Sequence, residues 1–310
     1  MIYFIVNLSS GTGTNYRVWR QVKDFMAKEK VPYKAYRTKY KRHASRLAEH
    51  ISDIAIKGED KDVKLVVVGG DGTFNEVING IKCFDKIKLG IIPAGSGNDF
   101  AKGIGICKDV EKNLRNIISG KSIVSLDLGE VIFERGVKPR YFAISSGIGM
   151  DAIVCKKALH SRIKKILNKV KLGKLTYLAL TVSTLFSMKT VDLEITVDGK
   201  DIEYKKLIFM AAMNLMAEGG GVPIAPSARQ DDGKLSFCAA WGIGKCQAFL
   251  VLPLLALGKH EKLKCFDFKN GEEVLVRASS PVVLHADGEY CGDVNWAAFR
   301  CIPRTMNVFV

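Results

Sequence analysis

Several features that would assign the sequence to a common class are missing from it. The eight cysteines are scattered and form no CxxC pair, which fits neither a zinc site nor a disulfide framework and predicts a reducing compartment. The longest strongly apolar run, Ala248 to Leu257, is ten residues long and contains Pro253. A membrane-spanning helix needs roughly 20 apolar residues, so we expect none. Met1 to Asn7 has no signal-peptide pattern, and a cytoplasmic location is predicted.

Two familiar phosphate-binding motifs are also absent. Gly120-Lys121-Ser122 resembles the end of a Walker motif, but Arg115 stands where the first glycine should be. The dinucleotide fingerprint G-x-G-x-x-G fails as well, because Phe100 occupies the third-glycine position after Gly95 and Gly97. Any phosphate site in this chain therefore uses another scheme.

Acidic residues are too few to balance the basic ones. The 310 residues include 47 Lys and Arg against 32 Asp and Glu, a formal net charge of +15. Such an excess suits an anionic partner, which includes nucleotide phosphates, an anionic lipid surface and nucleic acid. The sequence contains no zinc finger, RNP motif or recognisable helix-turn-helix, so nucleic acid is not the expected partner.

The first 125 residues alternate between strand-like and helix-like patterns. Val63 to Val68 is unbroken and largely β-branched, as a buried parallel strand should be. Helical spacing of apolar residues precedes it at Ala44 to Ile56 and follows it at Phe74 to Ile81. This rhythm predicts an α/β domain over residues 1–125, with an open, mostly parallel sheet and helices on both faces.

Strand-like runs follow one another after about Asp127, and they include Ile202 to Met213, Glu273 to Ala278 and Val282 to Asp287. Several alternate with period 2, and Val197-Asp198-Gly199-Lys200 is a hairpin signal. Helices are expected at Ala152 to Met188 and at Cys246 to Leu257. We therefore predict a β-rich, sandwich-like and largely antiparallel domain over residues 126–299, and we expect residues 300–310 to pack back on the first domain.

The segment Val66 to Glu76, VVVGGDGTFNE, carries the most chemistry for its length. A buried strand ends at Gly69, and the glycines that follow permit positive φ or close approach to a ligand. Thr73 stands where a helix is expected to begin, and Glu76 completes a capping-box pattern. Backbone amides and a helix N-terminus then converge on one point, which predicts a phosphate site. Asp71 is predicted to bind the Mg²⁺ that accompanies a nucleoside triphosphate.

Two other polar or glycine-rich turns occupy equivalent positions after strands. Asn7 to Gly11 follows the first strand, and Pro93 to Asp99 follows the strand at Lys88 to Ile92. In an open parallel sheet, loops at the carboxyl ends of neighbouring strands form one crevice. Together with the glycine loop at Gly69 to Thr73, they predict a nucleotide site at one edge of the sheet.

A basic segment stands in the second half of the chain. Lys156 to Lys174 contains eight Lys or Arg residues and no acid, with apolar residues interleaved at helical spacing. Such a segment can lie on an anionic membrane surface. The alternative is a helix packed on its own domain with a solvated basic face, and the sequence leaves both open.

The chain resembles the soluble diacylglycerol kinase catalytic family, which includes bacterial diacylglycerol kinases and extends to sphingosine kinases. The resemblance rests on motifs in the family's order that cover nearly the whole chain: NLSSG at 7–11, VVVGGDGTFNEVING at 66–80, GIIPAGSGNDFAKGIGI at 90–106, LDLGE at 126–130, GIGMDA at 147–152, DDGKL at 231–235 and HADGE at 285–289. NAD kinases share a GGDGT-like loop, but GGDGT followed by GSGNDFA and a late DGE is typical of the lipid kinases. Leu8, where proline is common, and Ile144, where asparagine is frequent, depart from the pattern.

The resemblance implies an ATP site, a catalytic base, a magnesium network and a separate structural magnesium, with the active site in a cleft between the domains. The implied ATP-site residues are Asn7, Ser9, Ser10, Gly11, Thr38, Gly69, Gly70, Asp71, Gly72, Thr73, Asn75 and Ser96. Glu289 is implied as the catalytic base, with Asp71 and Asp127 in the magnesium network. The structural magnesium would be held by Asp232 and by backbone carbonyls of Arg229 and Lys234.

Phosphoryl transfer to a hydroxyl needs positioning, charge neutralisation and a base within hydrogen-bond reach. Glu289 follows an apolar strand in Ala286-Asp287-Gly288-Glu289, and its plainer alternative is an exposed hairpin acid. His285 could serve as a rival base or metal ligand, although a lone strand histidine is more often simply packed.

The leading hypothesis is an ATP-dependent and Mg²⁺-dependent lipid kinase that converts diacylglycerol to phosphatidic acid at an anionic membrane surface. The alternatives are an NAD-kinase-like enzyme, a related kinase acting on phosphatidylglycerol or a sphingoid base, and a nucleotide sensor that has lost phosphate transfer. The oligomeric state, a homodimer included, is left open by the sequence.

Overall fold

The structure is a computed structural model that describes residues 1–9, 14–160 and 173–310, with side chains for 1–9, 14–158 and 178–310. The chain forms two units. Unit 1 comprises Met1–Asp127 and Arg304–Val310, and unit 2 comprises Leu128–Pro303.

Unit 1 alternates strands and helices along the chain. Its complete strands are β1 (Ile2–Val6), β2 (Tyr33–Arg37), β3 (Val63–Gly69) and β4 (Ile87–Pro93). Its helices are α1 (Thr14–Lys28), α2 (His43–Ile56), α3 (Asp71–Ile78), α4 (Asp99–Gly103) and α5 (Val110–Ser119), with a 3₁₀ turn at Phe84–Lys86. Strand β5 (Ile123–Ile132) begins in this unit.

The strands of unit 1 lie in the order β2-β1-β3-β4, and every neighbouring pair is parallel. Asn307 and Val308, near the end of strand β14 (Glu289–Phe309), add a further parallel pairing beside β4. All five residues of β1 are buried, as are most of those in β3. Continuous burial is expected of parallel strands covered on both faces, and it explains the unbroken apolar run from Leu65 to Val68.

Unit 2 is built mainly from antiparallel strands. Its strands after β5 are β6 (Arg140–Phe142), β7 (Ser145–Gly149), β8 (Val191–Val197), β9 (Lys200–Leu207), β10 (Phe209–Met213), β11 (Leu235–Ala240), β12 (Phe266–Gly271), β13 (Glu273–Ala286) and most of β14. Its described helices are α6 (Met150–His160), α7 (Gly173–Ser187) and α8 (Lys245–Ala256).

Strand β13 connects two groups of strands in unit 2. Through Leu284 to Ala286 it pairs with β7, which continues through β10 and β11 to β12. Through Val274 to Ala278 it pairs with β8, which pairs with β9. The predicted hairpin at Val197 to Lys200 is confirmed, because Asp198 and Gly199 both adopt positive φ between those paired residues.

The predicted fold class, an α/β domain followed by a β-rich, sandwich-like one, is confirmed. Two strand predictions were wrong in detail. Residues 202–213 form two strands, because Lys206 adopts a left-handed φ of 53° before the chain enters β10. Glu273 to Ala286 is one strand with a register shift between Arg277 and Val282, where two strands were expected.

Within the described residues, no helix combines the length and the apolar composition needed to span a bilayer. The helical predictions at 152–188 and 246–257 correspond to α6, α7 and α8, although residues 161–172 lie outside the described part of the chain. Most of the basic segment Lys156 to Lys174 falls there. Its first two lysines are described, and both make internal contacts: Lys156 with Asp293, and Lys157 with the Thr184 hydroxyl.

Candidate active site

The predicted nucleotide residues of unit 1 lie at the carboxyl edge of its parallel sheet. The chain leaves β1 on one side for β2 and reaches β3 on the other side, so β1 and β3 flank the topological switch point where open α/β sheets bind ligands. Backbone hydrogen bonds hold the strand ends in one row: Thr38 N to Val6 O at 2.9 Å, Asn7 N to Val68 O at 3.0 Å, and Ala94 N to Gly69 O at 2.8 Å.

Asn7 joins the first loop to the glycine loop. Its Nδ2 donates to the Thr73 hydroxyl at 2.9 Å, and its Oδ1 accepts from the Ser9 amide at 3.0 Å. A Cβ on Gly69 would stand 2.9 Å from Thr73 Oγ1, so only glycine leaves room for this hydroxyl. Ser10 and Gly11, which were also predicted to bind ATP, lie outside the described residues.

The two glycine-rich loops touch backbone to backbone. A Cβ on Gly95 would stand 2.5 Å from the Gly70 Cα, and one on Gly70 would stand 2.9 Å from the Gly95 Cα. Asn98 fixes this approach from inside its own loop, accepting from the Gly95 amide and donating to the Gly95 carbonyl, both at 2.8 Å. Gly70 has a φ of −108°, so the expected positive φ is not why a glycine is needed there. Close approach is the reason.

Asp71 belongs to the first of these loops and contacts the second. Its Oδ1 accepts from the Phe100 amide at 3.1 Å, and a Cβ on Gly97 would stand 2.9 Å from its Oδ2. The neighbouring Ser96 is exposed and Asn75 is fully buried. A carboxylate held at a phosphate loop is the donor type that Mg²⁺ prefers, so the residue present fits the predicted ion. Its role as a magnesium ligand stays a prediction.

The capping box predicted for Thr73 and Glu76 is wrong. Helix α3 begins two residues before Thr73, at Asp71, so Glu76 is not its N3 residue. The Glu76 carboxylate instead accepts from the amides of Arg42 at 2.8 Å and Ala44 at 3.1 Å. Those amides stand at the start of α2, where a negative charge is favourable. Glu76 therefore caps the neighbouring helix.

Two other sites were predicted to bind Mg²⁺, namely Asp127 and the DDGKL loop at 231–235. Asp127 is fully buried in unit 1, and its Oδ1 accepts from the Arg304 amide at 2.7 Å. In unit 2, Asp232 Oδ1 accepts from the Lys234 amide at 3.1 Å, and Arg229 is exposed beside them. One carboxylate with two backbone carbonyls is a chemically suitable oxygen set for Mg²⁺. Both assignments stay predictions.

The HADGE segment of unit 2 forms a tight hairpin turn. Asp287 and Gly288 have φ values of 47° and 77°, the pattern of a two-residue type I′ turn. The Asp287 carboxylate accepts three backbone amides, those of Ala143 at 2.9 Å, Ile144 at 2.8 Å and Ser145 at 3.1 Å. Sequence reasoning missed this role, which fixes the hairpin to the first residue of β7 and the two residues before it.

Glu289 is the first residue of β14, directly after that turn, and it is partly exposed. It pairs with Ala286, whereas the next pair is His285 with Tyr290. Because side chains alternate along a strand, Glu289 and His285 belong to opposite faces of the hairpin. The predicted base and its predicted rival therefore lie on different faces of this hairpin.

His285 is buried and belongs to a group of ionisable side chains that the sequence did not reveal. Ligand-type atoms of Asp151, Glu218 and His285 all lie within 4.8 Å of one another. His285 Nε2 is 3.0 Å from Asp151 Oδ2, and the Ser145 hydroxyl donates to Glu218. Gly147 opposes His285 across the β7–β13 pair, and a Cβ there would collide with the Asp151 carboxylate. The only signal in the sequence was the GIGMDA motif that contains Gly147 and Asp151.

The charge state of this group follows from its surroundings. Burial lowers the pKa of the His285 imidazole, but the hydrogen bond and charge of Asp151, with the charges of Glu218 and Asp287, outweigh it and raise that pKa to about 8. Burial also raises the pKa of the Glu218 carboxyl; His285 opposes that rise, and Asp151 adds to it.

Hydrogen bonding shows which atom of His285 carries a proton. Nδ1 accepts from the Gly288 amide at 3.2 Å, so the neutral ring has its proton on Nε2, facing Asp151. The imidazolium also carries one there. A metal ion on Nε2 would displace that proton and require an N–H on Nδ1, opposite the Gly288 N–H. The imidazolium would also carry an N–H on Nδ1, so the Gly288 contact opposes ring protonation as well as a metal ion. The charges of Asp151, Glu218 and Asp287, by contrast, favour protonation.

Two family models match the chain. Residues 1–131 match the diacylglycerol kinase catalytic domain, and residues 144–310 match the YegS C-terminal NAD kinase beta sandwich-like domain. Among curated proteins, the chain is 30% identical over 292 residues to YtlR of Bacillus subtilis (strain 168), whose name assigns it provisionally to the lipid kinases. That match covers 94% of this chain and 93% of the relative.

A second relative is the protein named diacylglycerol kinase of Staphylococcus aureus (strain NCTC 8325 / PS 47), 30% identical over 268 residues, which cover 84% of this chain and 80% of the relative. The chain therefore belongs to the diacylglycerol-kinase-like lipid kinase family, with the catalytic domain first and the YegS-type domain second.

Solved structures share the fold. A provisional diacylglycerol kinase from Bacillus anthracis str. Sterne superposes with a TM-score of 0.76 at 21% identity, covering 99% of this chain and 96% of that one. An NAD kinase from Archaeoglobus fulgidus, solved in complex with ATP, superposes with a TM-score of 0.55 at 11% identity, covering 100% of this chain and 94% of that one. At these identities the likeness concerns the fold alone.

Proposed function

We propose that this protein is an ATP:diacylglycerol phosphotransferase, which transfers the γ-phosphate of ATP to the free hydroxyl of diacylglycerol and makes phosphatidic acid. Unit 1 would bind the nucleotide and unit 2 the lipid. The observation that carries the proposal is the loop arrangement at the carboxyl edge of the unit 1 sheet, in a chain of the diacylglycerol-kinase-like family. There Gly70 and Gly95 meet, and Asn7 holds the Thr73 hydroxyl.

The loops suit a polyphosphate for a physical reason. Thr73 Oγ1 accepts a hydrogen bond from Asn7, so its own proton is directed to another acceptor, which we take to be a phosphate oxygen. The N-terminus of α3 adds backbone N–H groups and a positive partial charge at the same place. Asp71, fixed by the Phe100 amide, would bind Mg²⁺, which neutralises the charge of the transferring phosphate when bound.

Glu289 is proposed as the base. A carboxylate within hydrogen-bond reach of the lipid hydroxyl would take its proton as the phosphate is transferred, and ADP would leave with the pair of electrons of the broken bond. Asp287, two residues earlier, is committed to three backbone amides and would not serve. Diacylglycerol is favoured over phosphatidylglycerol, a sphingoid base or NAD by the names of the relatives alone.

The test is a side-by-side assay with ATP labelled at the γ-phosphate. The full chain is incubated with Mg²⁺ and either diacylglycerol in mixed micelles or NAD, and the labelled product is separated. We expect label in phosphatidic acid and none in NADP. Label in NADP, or ATP hydrolysis without transfer to any lipid, would refute the proposal.

A further inference from the structure

Helix α8 of unit 2 exposes apolar side chains to solvent. Its inner face packs into the unit through Ala248 and Leu255, which are buried. On its outer side Phe249 is 44% exposed and Leu250 72% exposed, and Leu257, directly after the helix, is 67% exposed. This is the apolar run that the sequence showed to be too short to span a membrane. A helix that is apolar on both faces needs a second apolar environment.

The exposed side of α8 continues onto α7. Phe186, near the end of α7, is 47% exposed, and its ring centroid lies 6.0 Å from that of Phe249. Lys245 at the start of α8 donates to the carbonyls of Phe186 and Met188, both at 2.7 Å, which fastens the two helices together. We call the four exposed side chains the apolar ridge: Phe186, Phe249, Leu250 and Leu257.

Basic residues follow the ridge directly. The Lys259 amide donates to the Leu254 carbonyl at 2.8 Å, so this lysine is held at the C-terminal end of α8. Lys262 and Lys264 come next and are exposed, against the single acid Glu261 in that stretch. Apolar side chains beside a cluster of lysines complement the acyl chains and headgroups of an anionic leaflet.

Among the described residues, the inner side of α8 leaves no space large enough for an acyl chain. The cavity between α7, α8 and the strands beneath them is lined by side chains such as Leu185, Leu252 and Phe266, and its volume is about 20 Å³. That is room for about one water molecule, far less than an acyl chain needs. The outer ridge is therefore the surface on which the helix pair can meet lipid.

We propose that the apolar ridge is a membrane-docking surface that inserts into the interfacial layer of an anionic bilayer while α8 lies in the membrane plane. The proposal deepens the proposed function and rests on it, since a lipid kinase must meet its substrate at a membrane. It concerns different residues from the basic segment at 156–174.

Flotation of the full chain with vesicles tests the proposal without any catalytic step. The variant Leu250→Gln/Leu257→Gln keeps good helix formers while removing the apolar tips. The control is Ile56→Gln, because Ile56 is 46% exposed at the end of α2 in unit 1. With phosphatidylcholine vesicles containing phosphatidylglycerol, we expect the double variant to bind roughly tenfold more weakly or worse, and the control to bind like the parent chain.

A depth measurement supplies the second arm. Leu250→Trp should show a blue-shifted emission on vesicle addition and quenching by brominated acyl chains, whereas Ile56→Trp should show neither. The docking proposal is overturned if the double variant floats normally, if both tryptophans respond alike, or if the ridge variants instead abolish a dimer seen in sedimentation. Failure of the function alone would look different: the ridge would still control flotation while no lipid was phosphorylated.

Discussion

The Asp287 carboxylate holds the hairpin turn of unit 2 against Ala143 to Ser145, at the start of β7, and removing its charge should destabilise the unit. It accepts hydrogen bonds from the amides of Ala143, Ile144 and Ser145. In Asp287→Asn the side chain keeps its size, and asparagine tolerates the left-handed φ of 47°. If the remaining oxygen keeps the bonds to Ile144 and Ser145, the new amide group points its hydrogens at the Ala143 N–H.

The cost follows from that arrangement. Ala143 is fully buried, so leaving its N–H unpaired costs about 1–3 kcal/mol. The two remaining bonds lose the assistance of a negative charge, for about 1–2 kcal/mol more. We therefore expect a destabilisation of about 2–5 kcal/mol, which lowers the melting temperature of a unit of this size by roughly 5–15 °C.

Differential scanning calorimetry of the full chain at pH 7 measures this change. The matched control is Glu272→Gln, the same carboxylate-to-amide exchange at an exposed residue of unit 2, which should leave the melting temperature almost unchanged. A fall of less than about 2 °C for Asp287→Asn would refute the reasoning, because three bonds to buried amides cannot then be what holds the turn.

The other predictions concern the buried histidine, the loop contact and the base. The pKa of His285 is raised from 6.5 to about 8, so its contribution to the free energy of unfolding is full below pH 6.5 and is lost as the pH rises through 8. In urea titrations at pH 6 and pH 9, His285→Gln should reduce the difference in unfolding free energy between the two pH values by about 2 kcal/mol. An unchanged pH dependence of stability would contradict this prediction. Gly95→Ala places a methyl group against the Gly70 backbone and should weaken ATP binding by roughly tenfold or more in calorimetric titrations, whereas Gly244→Ala, where the nearest atom is 3.9 Å away, should not. Glu289→Gln should bind ATP normally and lose turnover; near-normal turnover would remove Glu289 as the base.

Much of unit 1 could be predicted from local sequence pattern. A buried parallel strand appears in the sequence as a continuous apolar run, so the strand at Val63 to Val68 was recognisable. The loops that follow such strands must lie at one edge of the sheet. That geometry alone predicts that Asn7, Gly69 and Gly95 lie together. The contact between Gly70 and Gly95 is a refinement of the same idea.

Other features depend on partners that are distant in sequence. Glu76 matched a local capping pattern, but it caps α2, through amides 32 and 34 residues earlier. Asp287 acts on Ala143 to Ser145, and His285 on Asp151, across separations of 142–144 and 134 residues. Sequence periodicity does not reveal such contacts, and those of Asp287 and His285 form only because β7 and β13 lie side by side. For the same reason, an apolar run such as Ala248 to Leu257 did not reveal which of its faces would be exposed.

The most direct test of the central claim is mass spectrometry of a total lipid extract incubated with MgATP and the full chain. We predict that phosphatidic acid rises as diacylglycerol falls, and that neither changes with Glu289→Gln. A different phosphorylated lipid would correct the acceptor. No phosphorylated lipid at all, or the same product from the Glu289→Gln variant, would contradict the account.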